Sequence, residues 1–210
     1  MKAKDRVQWV YASRNNEELA QRYDQWASEY DIDLTEEFGW VGPQRAADTF
    51  SRYVSKDAKV LDAGVGTGLV GQCLADLGYR DLAGIDLSPG MLKEAGKKGI
   101  YRELRQMVLG EPLDFPTDAF DAVISVGVFT LGHAPAEALK EIIRITQPGG
   151  YIVFTLRPDV YENGGFREVQ RSLEAGGRWE RVEVGEPFQT LPTGEPEVYH
   201  QVWVYKVLAG

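Results

Sequence analysis

The chain has 210 residues, 43% of them hydrophobic and 26% charged, a composition typical of one globular domain with at most a small appendage. Its formal net charge of -9 disfavours a nucleic-acid-binding protein, because such proteins neutralise phosphates with a basic surface. No apolar segment approaches the roughly 20 residues needed to cross a bilayer, which disfavours a membrane-spanning protein.

The cysteine count and the first residues indicate the compartment. Cys73 is the only cysteine, which excludes an internal disulfide and a cysteine-based zinc site. The first residues lack the apolar segment of a secretory signal. No spaced set of metal ligands is evident, so we predict no metal site. We expect a cytoplasmic protein, a monomer or homodimer, with no nucleic-acid or membrane partner.

Two helices are predicted before the first strand. Apolar and aromatic residues recur at helical spacing between Asn15 and Asp33, which indicates an amphipathic helix. Pro43 then stands at a tolerated first-turn position of a second helix.

From Lys59 onward, strand-like and helix-like segments alternate. The strand-like segments are KVLDAG, DLAGID, YRELRQMVL, FDAVISVGV and GYIVFTLR, and the helix-like segments between them are GLVGQCLADLGY, SPGMLKEAGKKG and APAEALKEIIRIT. This alternation predicts a parallel, doubly wound sheet. Pro148, Gly149 and Gly150 predict a tight turn before the last of these strands.

The C-terminal part departs from this alternation. A predicted helix between residues 164 and 177 precedes two strand-like segments, RWERVEVGEPFQTL and VYHQVWVYKVL. Because no helix separates these two segments, they predict an antiparallel hairpin.

A glycine-rich turn follows the first predicted strand, in the segment VLDAGVGTGL. Such a turn presents unpaired N–H groups and a helix N-terminus to a ligand. It lacks the lysine of a phosphate-binding loop. The dinucleotide fingerprint needs a third small residue where this chain has Leu69, so a pyrophosphate is disfavoured. Asp86, at the end of the second strand, suits the ribose of any nucleoside cofactor.

Four segments in order resemble the motifs of class I S-adenosylmethionine-dependent methyltransferases. They are VLDAGVGTG, GIDLSPGML, FPTDAFDAVISVGV and ALKEIIRITQPGGYIVF, and the resemblance extends from about Tyr23 to Leu208. It implies an α/β fold, a Rossmann-like three-layer sandwich with a seven-stranded, mostly parallel sheet and a C-terminal antiparallel hairpin. Within the family, RYDQWASEYD and FDAVISVGVFTLGHAP most resemble the methyltransferase-like protein of the Williams-Beuren syndrome region.

The resemblance implies an enzyme that transfers the methyl group of S-adenosyl-L-methionine and releases S-adenosyl-L-homocysteine. The fourth strand lacks the Asn/Asp-Pro-Pro-Tyr/Phe motif of enzymes that methylate DNA bases or protein glutamine, so a small-molecule acceptor is expected. Two alternatives remain open: a catalytically silent S-adenosylmethionine-binding sensor or partner protein, and a nicotinamide-dependent oxidoreductase.

By the same resemblance, residues 1–42 form a helical lid over the cofactor site and residues 43–210 form the methyltransferase domain. The implied cofactor-binding residues are Tyr23, Trp26, Tyr30, Asp62, Ala63, Gly64, Gly66, Thr67, Gly68, Asp86, Leu87, Met91, Leu109, Gly110, Ser125 and Val126. Asp62 would lie near the methionine ammonium group and Asp86 would bind the ribose. Many relatives place an adenine-binding acid where this chain has Val108, so the main chain at Leu109 and Gly110 would bind the adenine.

Three further residues are candidates on the acceptor side. His133 follows the fourth strand, in a loop that faces the methyl group in class I folds, so it is a candidate general base. Arg157 and Tyr161 follow the fifth strand and are candidate acceptor-binding residues.

Overall fold

Helices and strands alternate between residues 59 and 156 of the computed structural model, which describes residues 2–130 and 132–209. The helices are α1 (Ala3–Tyr11), α2 (Asn16–Ile32), α3 (Gly42–Phe50), α4 (Leu69–Asp76), α5 (Pro89–Lys97), α6 (Ala138–Ile145), α7 (Pro158–Asn163) and α8 (Phe166–Ala175). The strands are β1 (Lys59–Ala63), β2 (Asp81–Asp86), β3 (Glu103–Gln106), β4 (Phe120–Phe129), β5 (Thr146–Leu156), β6 (Trp179–Val184), β7 (Phe188–Leu191) and β8 (Glu195–Val207).

The central sheet has the strand order β3-β2-β1-β4-β5-β8-β6. The five strands from β3 to β5 are parallel, and β8 lies between β5 and β6, antiparallel to both. The predicted α/β fold, with a mostly parallel sheet and antiparallel C-terminal strands, is confirmed.

The second-to-last predicted strand is interrupted. It divides into β6 and β7, and both pair with the long β8. Gly185 and Pro187 lie in the interruption, where the Gly185 N–H donates to the Val202 carbonyl at 2.8 Å and Pro187 has no N–H to donate. The short β7 therefore adds an eighth strand that pairs only with β8 within the described chain.

Two hydrophobic clusters fill the two faces of the sheet and make the three layers. Successive residues of one strand pack in different clusters, because their side chains point to opposite faces of the sheet. Val60 of β1 packs with Phe50 of α3 and Leu74 of α4. Its neighbour Leu61 packs in the other cluster, with Ile142 of α6.

Local sequence signals set several helix starts. The Asn15 side chain accepts a hydrogen bond from the Glu18 N–H at 2.8 Å, and the Ser88 hydroxyl accepts one from the Met91 N–H at 3.0 Å. These are standard N-cap contacts. Pro43 lies in the first turn of α3, as the sequence predicts.

The turn at Pro148-Gly149-Gly150 lies within the bounds of β5 instead of before it. Pairing with β4 jumps from Phe120 with Thr146 to Ala122 with Tyr151, so residues 147–150 form an irregularity in the strand. Gly149 has a φ of 85°, which glycine adopts without steric cost.

The N-terminal segment packs on the carboxyl edge of the sheet. The predicted helix between Asn15 and Asp33 is observed as α2, and it continues into one π-helical turn at Asp33–Glu37. The sequence did not indicate α1, whose Val7 and Val10 pack with Leu191 of β7. No helix in residues 2–130 and 132–209 is long and apolar enough to cross a membrane.

Candidate active site

A cavity lies at the carboxyl ends of the parallel strands, where the strand order reverses between β1 and β4. It holds about 830 Å³ of empty space, part of it open to solvent. Ligands of open α/β sheets bind at this position. The lining includes these residues predicted to bind the cofactor: Tyr23, Tyr30, Gly64, Gly66, Thr67, Asp86, Leu87, Met91, Leu109 and Val126.

The glycine-rich loop between β1 and α4 forms one wall. Gly64, Gly66 and Gly68 have φ angles of 80°, 53° and 90°, a region that favours glycine. A Cβ on Gly64 would lie 2.2 Å from the Val128 side chain, whereas a Cβ on Gly66 would meet nothing within 4 Å. Gly64 is therefore needed for packing, and Gly66 brings bare main chain to the edge of the open cavity.

Asp86, the last residue of β2, joins this loop to the start of α5. Its Oδ2 accepts a hydrogen bond from the Gly66 N–H at 2.8 Å, and its Oδ1 accepts one from the Ser88 N–H at 2.9 Å. Burial raises the pKa of the carboxyl group to about 6, so it is mostly ionised at neutral pH. A carboxylate has about four lone-pair positions. Both oxygens therefore keep the capacity to accept from ligand hydroxyl groups.

Asp62 of β1 is fully buried and does not line the cavity. Its Oδ2 accepts a hydrogen bond from the Tyr101 phenol at 2.7 Å, and its Oδ1 has no partner among the described residues. Burial raises its pKa to about 7. Ser125 donates to the Ala63 carbonyl at 2.7 Å, and neither of these two residues, nor Gly68, belongs to the lining. Asp62, Ala63, Gly68 and Ser125 thus lie behind the cavity wall, and their contact with the cofactor stays a prediction.

Aromatic side chains cover the other side of the cavity. Tyr23 and Tyr30 of α2 line it together with Trp40, which the sequence did not indicate. Trp26 does not line it, because its ring is buried and its Nε1 donates to Asp33 Oδ2 at 2.7 Å. Helical spacing predicts a shared aromatic face, but only the tertiary packing decides which members of that face reach the cavity.

Two acids of α2 connect this helix to the cofactor-side loops. Asp24 Oδ1 accepts from the Ser88 hydroxyl at 2.6 Å and from the Gly90 N–H at 2.7 Å. Asp31 Oδ1 accepts from the Thr67 hydroxyl. The two acids are about two helical turns apart, so they lie on the same side of α2. Their spacing was the only available sequence signal, and it does not distinguish them from other exposed acids.

The loop after β4 brings His133 to the cavity. Its Nε2 lies 2.7 Å from the Tyr23 hydroxyl, and the Tyr11 ring packs edge-on against the imidazole with centroids 5.6 Å apart. Burial raises the pKa of Tyr23 well above its ordinary value, so the phenol stays protonated at neutral pH. This pair can hold a proton at the surface of the cavity.

Apolar side chains form another part of the cavity lining. They are Ile85, Leu87, Met91, Met107, Val108 and Leu109. The Val108 side chain is apolar and offers no hydrogen-bond acceptor to an adenine. Gly110 is not part of the lining, and a Cβ there would lie 2.8 Å from Pro135. Of the two residues whose main chain is predicted to bind the adenine, Leu109 lines the cavity and Gly110 does not.

The two predicted acceptor-binding residues lie outside this cavity. Arg157 donates to Asp159 from Nε at 2.9 Å and from Nη2 at 2.7 Å. The Tyr161 ring packs on Trp203 with centroids 4.8 Å apart. Tyr161 lies on α7 at another surface depression, whereas Arg157, just before α7, lies near Tyr11 and His200. The acceptor-binding role of both residues stays a prediction.

The chemistry of the cavity fits a sulfonium nucleoside better than a dinucleotide. Within the described chain no Lys or Arg lines the cavity, so a pyrophosphate would lack a cationic partner. Asp86 offers an acceptor for hydroxyl groups, and the aromatic rings offer faces that attract a cation. The open space at Gly66 allows a ligand to approach the main chain closely. Residues 2–130 and 132–209 contain no group of three or more His, Cys, Asp or Glu that could hold a metal ion.

Comparison with known proteins agrees with this chemistry. Residues 61–154 match the family model of a methyltransferase domain. Methyltransferase-like protein 27 of Homo sapiens is 36% identical over 182 residues, which cover 81% of this chain and 73% of the human protein. The chain belongs to the class I S-adenosylmethionine-dependent methyltransferases, with S-adenosylmethionine as its cofactor.

Another curated relative and two solved structures are also similar to this chain. Phosphatidylethanolamine N-methyltransferase of Cereibacter sphaeroides is 33% identical over 162 residues, covering 74% of this chain and 75% of that protein. Among solved structures, the [4+2]-cyclase SpnF has a TM-score of 0.71 at 17% identity and covers 93% of this chain and 97% of that one. A TehB-like S-adenosylmethionine-dependent methyltransferase from Corynebacterium glutamicum has a TM-score of 0.67 at 22% identity, covering 89% and 98%. At these identities the structural likeness shows the fold alone.

Proposed function

We propose that this methyltransferase acts on a small-molecule acceptor. The observation that carries the proposal is the aromatic cover formed by Tyr23, Tyr30 and Trp40 over the cofactor cavity. An acceptor would have to pass between side chains to reach the methyl group, which suits a small molecule better than a polymer. The net charge of -9 also disfavours a nucleic acid.

Residues 1–42 would serve as the lid. The contacts of Asp24 with Ser88 and Gly90, and of Asp31 with Thr67, support this assignment, because they attach α2 to two segments that border the cavity. The lid would exclude water and complete the acceptor side of the site.

Different residues on the cavity surface would bind different parts of the cofactor. Asp86 would accept hydrogen bonds from the ribose hydroxyls, and the main chain at Gly66 would lie against the cofactor. When bound, S-adenosylmethionine supplies an electrophilic methyl group on a sulfonium. Tyr30 and Trp40 would orient that cation through their ring faces. Positioning of this kind can supply a large part of the roughly 7–11 kcal/mol available from proximity and orientation.

Tyr23 and His133 would handle the proton that the acceptor loses. The Tyr23 phenol lies between the cavity and the imidazole, and its hydroxyl contacts His133 Nε2 at 2.7 Å. An acceptor hydroxyl or amine could pass its proton to His133 through this phenol. General-base assistance of this kind contributes typically about 10²–10⁴-fold in rate.

Relatives support a non-polymeric acceptor. One is named for methylation of phosphatidylethanolamine, and others are named demethylmenaquinone methyltransferase and ubiquinone biosynthesis O-methyltransferase. These names specify different acceptors, so they support the class of acceptor and not one compound.

The test is mass spectrometry of purified protein incubated with S-adenosylmethionine and a small-metabolite extract. We expect a product heavier than its precursor by one methylene unit, formed together with S-adenosylhomocysteine. Gly66→Val protein provides the background, since a side chain there would occupy the cofactor space. Cofactor binding without any methylated product would favour the silent sensor, and failure to bind would reject the proposal.

A further inference from the structure

A second cavity adjoins the cofactor cavity. It lies between the N-terminal helices and the β7–β8 strands and holds about 530 Å³ of empty space, part of it open to solvent. It is lined by Val7, Val10, Tyr11, Tyr23, Trp26, Tyr30, Leu34, Trp40, Gly127, Thr130, Thr190, Leu191, Val198 and His200. Tyr23, Tyr30, Trp40 and Gly127 line both cavities, so these four residues form the boundary between them.

Several buried polar side chains at this second cavity, among them Thr190 and His200, have unused hydrogen-bonding atoms. Thr190 is 1% exposed and His200 is 6% exposed. Neither Thr190 Oγ1 nor His200 Nδ1 has a hydrogen-bond partner among residues 2–130 and 132–209. Buried polar groups are nearly always paired, so these atoms indicate a partner outside the polypeptide.

Apart from Thr130, the rest of the lining is apolar or aromatic, and none of it carries a fixed charge. Among the described residues no Asp, Glu, Lys or Arg lines this cavity. Burial and the nearby Arg157 lower the pKa of His200 to about 4, so its imidazole is neutral at physiological pH. Arg157 itself is paired with Asp159. An ionised ligand would therefore lose its hydration without gaining a counter-charge.

We infer that this second cavity is the acceptor site, and that it takes an uncharged, largely apolar molecule carrying a hydroxyl or carbonyl group that hydrogen-bonds to Thr190 and His200. The inference rests on the proposed function, because it assigns the acceptor class of the same reaction. The shared boundary at Tyr23 would bring the acceptor next to both the cofactor and the Tyr23–His133 pair.

The experiment uses β-naphthol as a neutral hydroxylated probe and β-naphthoate as its anionic counterpart. Both are titrated by calorimetry into the full chain, with and without S-adenosylhomocysteine. We expect β-naphthol to bind about tenfold or more tightly than β-naphthoate. Thr190→Val, which removes the hydroxyl at constant shape, should weaken β-naphthol binding about fivefold. His200→Phe should do the same.

Thr193→Val is the matched control, since Thr193 is an exposed residue of the turn that follows β7. It should bind β-naphthol as the wild type does. Equal affinity for the two probes, no β-naphthol binding, or unchanged binding by Thr190→Val would each overturn the inference. S-adenosylhomocysteine binding is measured in the same variants and should not change. If the wild-type protein does not bind S-adenosylhomocysteine, the proposed function is rejected. The titrations of the two probes without S-adenosylhomocysteine would still show whether the second cavity binds a neutral molecule.

Discussion

The phenolic oxygen of Tyr23 and the imidazole Nε2 of His133 lie 2.7 Å apart, although 110 residues separate them in the chain. Tyr23 lies on α2 and His133 lies in the loop after β4. Their contact connects the predicted lid to the loop that faces the methyl group in class I folds. It also gives the candidate general base a hydrogen-bonding partner at the cavity surface.

Tyr23→Phe tests this contact directly. The substitution keeps the ring but removes the hydroxyl, so S-adenosylhomocysteine affinity should change by less than about twofold. Methyl transfer to the acceptor found by mass spectrometry should fall by about 10²-fold in kcat, because proton removal loses its relay. Tyr199→Phe, at an exposed tyrosine of β8, is the control and should leave kcat unchanged. A wild-type kcat in Tyr23→Phe would contradict the relay.

Gly66→Ala should weaken S-adenosylhomocysteine binding by about tenfold or more. The added Cβ would meet no protein atom within 4 Å, so it would occupy ligand space. Gly99→Ala is matched to it, because Gly99 has a similar φ of 65°, also has open space, and lies after α5 away from the cavity. Both variants should lose comparable stability from the backbone strain, but only Gly66→Ala should lose affinity in calorimetry. Equal losses of affinity in the two variants would show that the glycine-rich loop at Gly66 does not contact the cofactor.

Asp86→Ala should weaken cofactor binding by about 1.5–3 kcal/mol, because it removes a charged acceptor. The pKa of this carboxyl is raised to about 6 by burial, so the ionised form that accepts from two hydroxyls is lost as the pH falls through that value. Wild-type affinity for S-adenosylhomocysteine should therefore fall between pH 7.5 and pH 5, whereas that of the variant should change less over the same range. Parallel pH profiles would exclude Asp86 from the ribose contact.

Asp24→Ala should loosen α2 without unfolding the methyltransferase domain. It removes the acceptor for the Ser88 hydroxyl and the Gly90 N–H, which costs about 1 kcal/mol at this exposed position. Hydrogen exchange of α2 amides should accelerate about fivefold, while exchange in β4 stays unchanged. Glu37→Ala, which removes an exposed acid of the following π-helical turn, is the control. If both variants leave α2 exchange unaltered, Asp24 does not hold the lid.

Asp62→Asn tests the effect of a buried carboxylate on stability. Burial raises the folded-state pKa of Asp62 to about 7 from an ordinary value near 4, so the folded state binds the extra proton between these values. Stability from this group is fully present below about pH 4 and is lost as the pH rises through about 7. The free energy of unfolding of the variant relative to wild type should therefore increase by about 1–3 kcal/mol between pH 4.5 and pH 8.

Urea unfolding at several pH values measures this difference. Asp57→Asn, at an exposed acid before β1, should show a nearly constant difference from wild type across the range. A constant difference for Asp62→Asn as well would show that Asp62 is already ionised without penalty.

The amino-acid sequence alone determined the fold and the part of the cavity lining formed by Gly66 and Asp86. Strand and helix periodicities are local, and parallel strands joined by helices have few permitted arrangements. A glycine turn that ends the first strand, and an acid that ends the second, must meet at one edge of the sheet. The sequence alone could therefore single out Gly66 and Asp86 as candidate cofactor-binding residues, and the structure shows them in direct contact.

Only the tertiary structure decided which aromatic side chains line the rest of the cavity. Helical spacing predicts that Tyr23, Trp26 and Tyr30 share one face of α2. In the structure Trp26 donates a hydrogen bond to Asp33 instead of lining the cavity, and Trp40 lines it. Contacts such as that of Asp24 with Gly90 join segments far apart in the chain. They depend on how one helix packs against another. Side-chain volumes and long-range packing determine that arrangement, and no local sequence pattern indicates it.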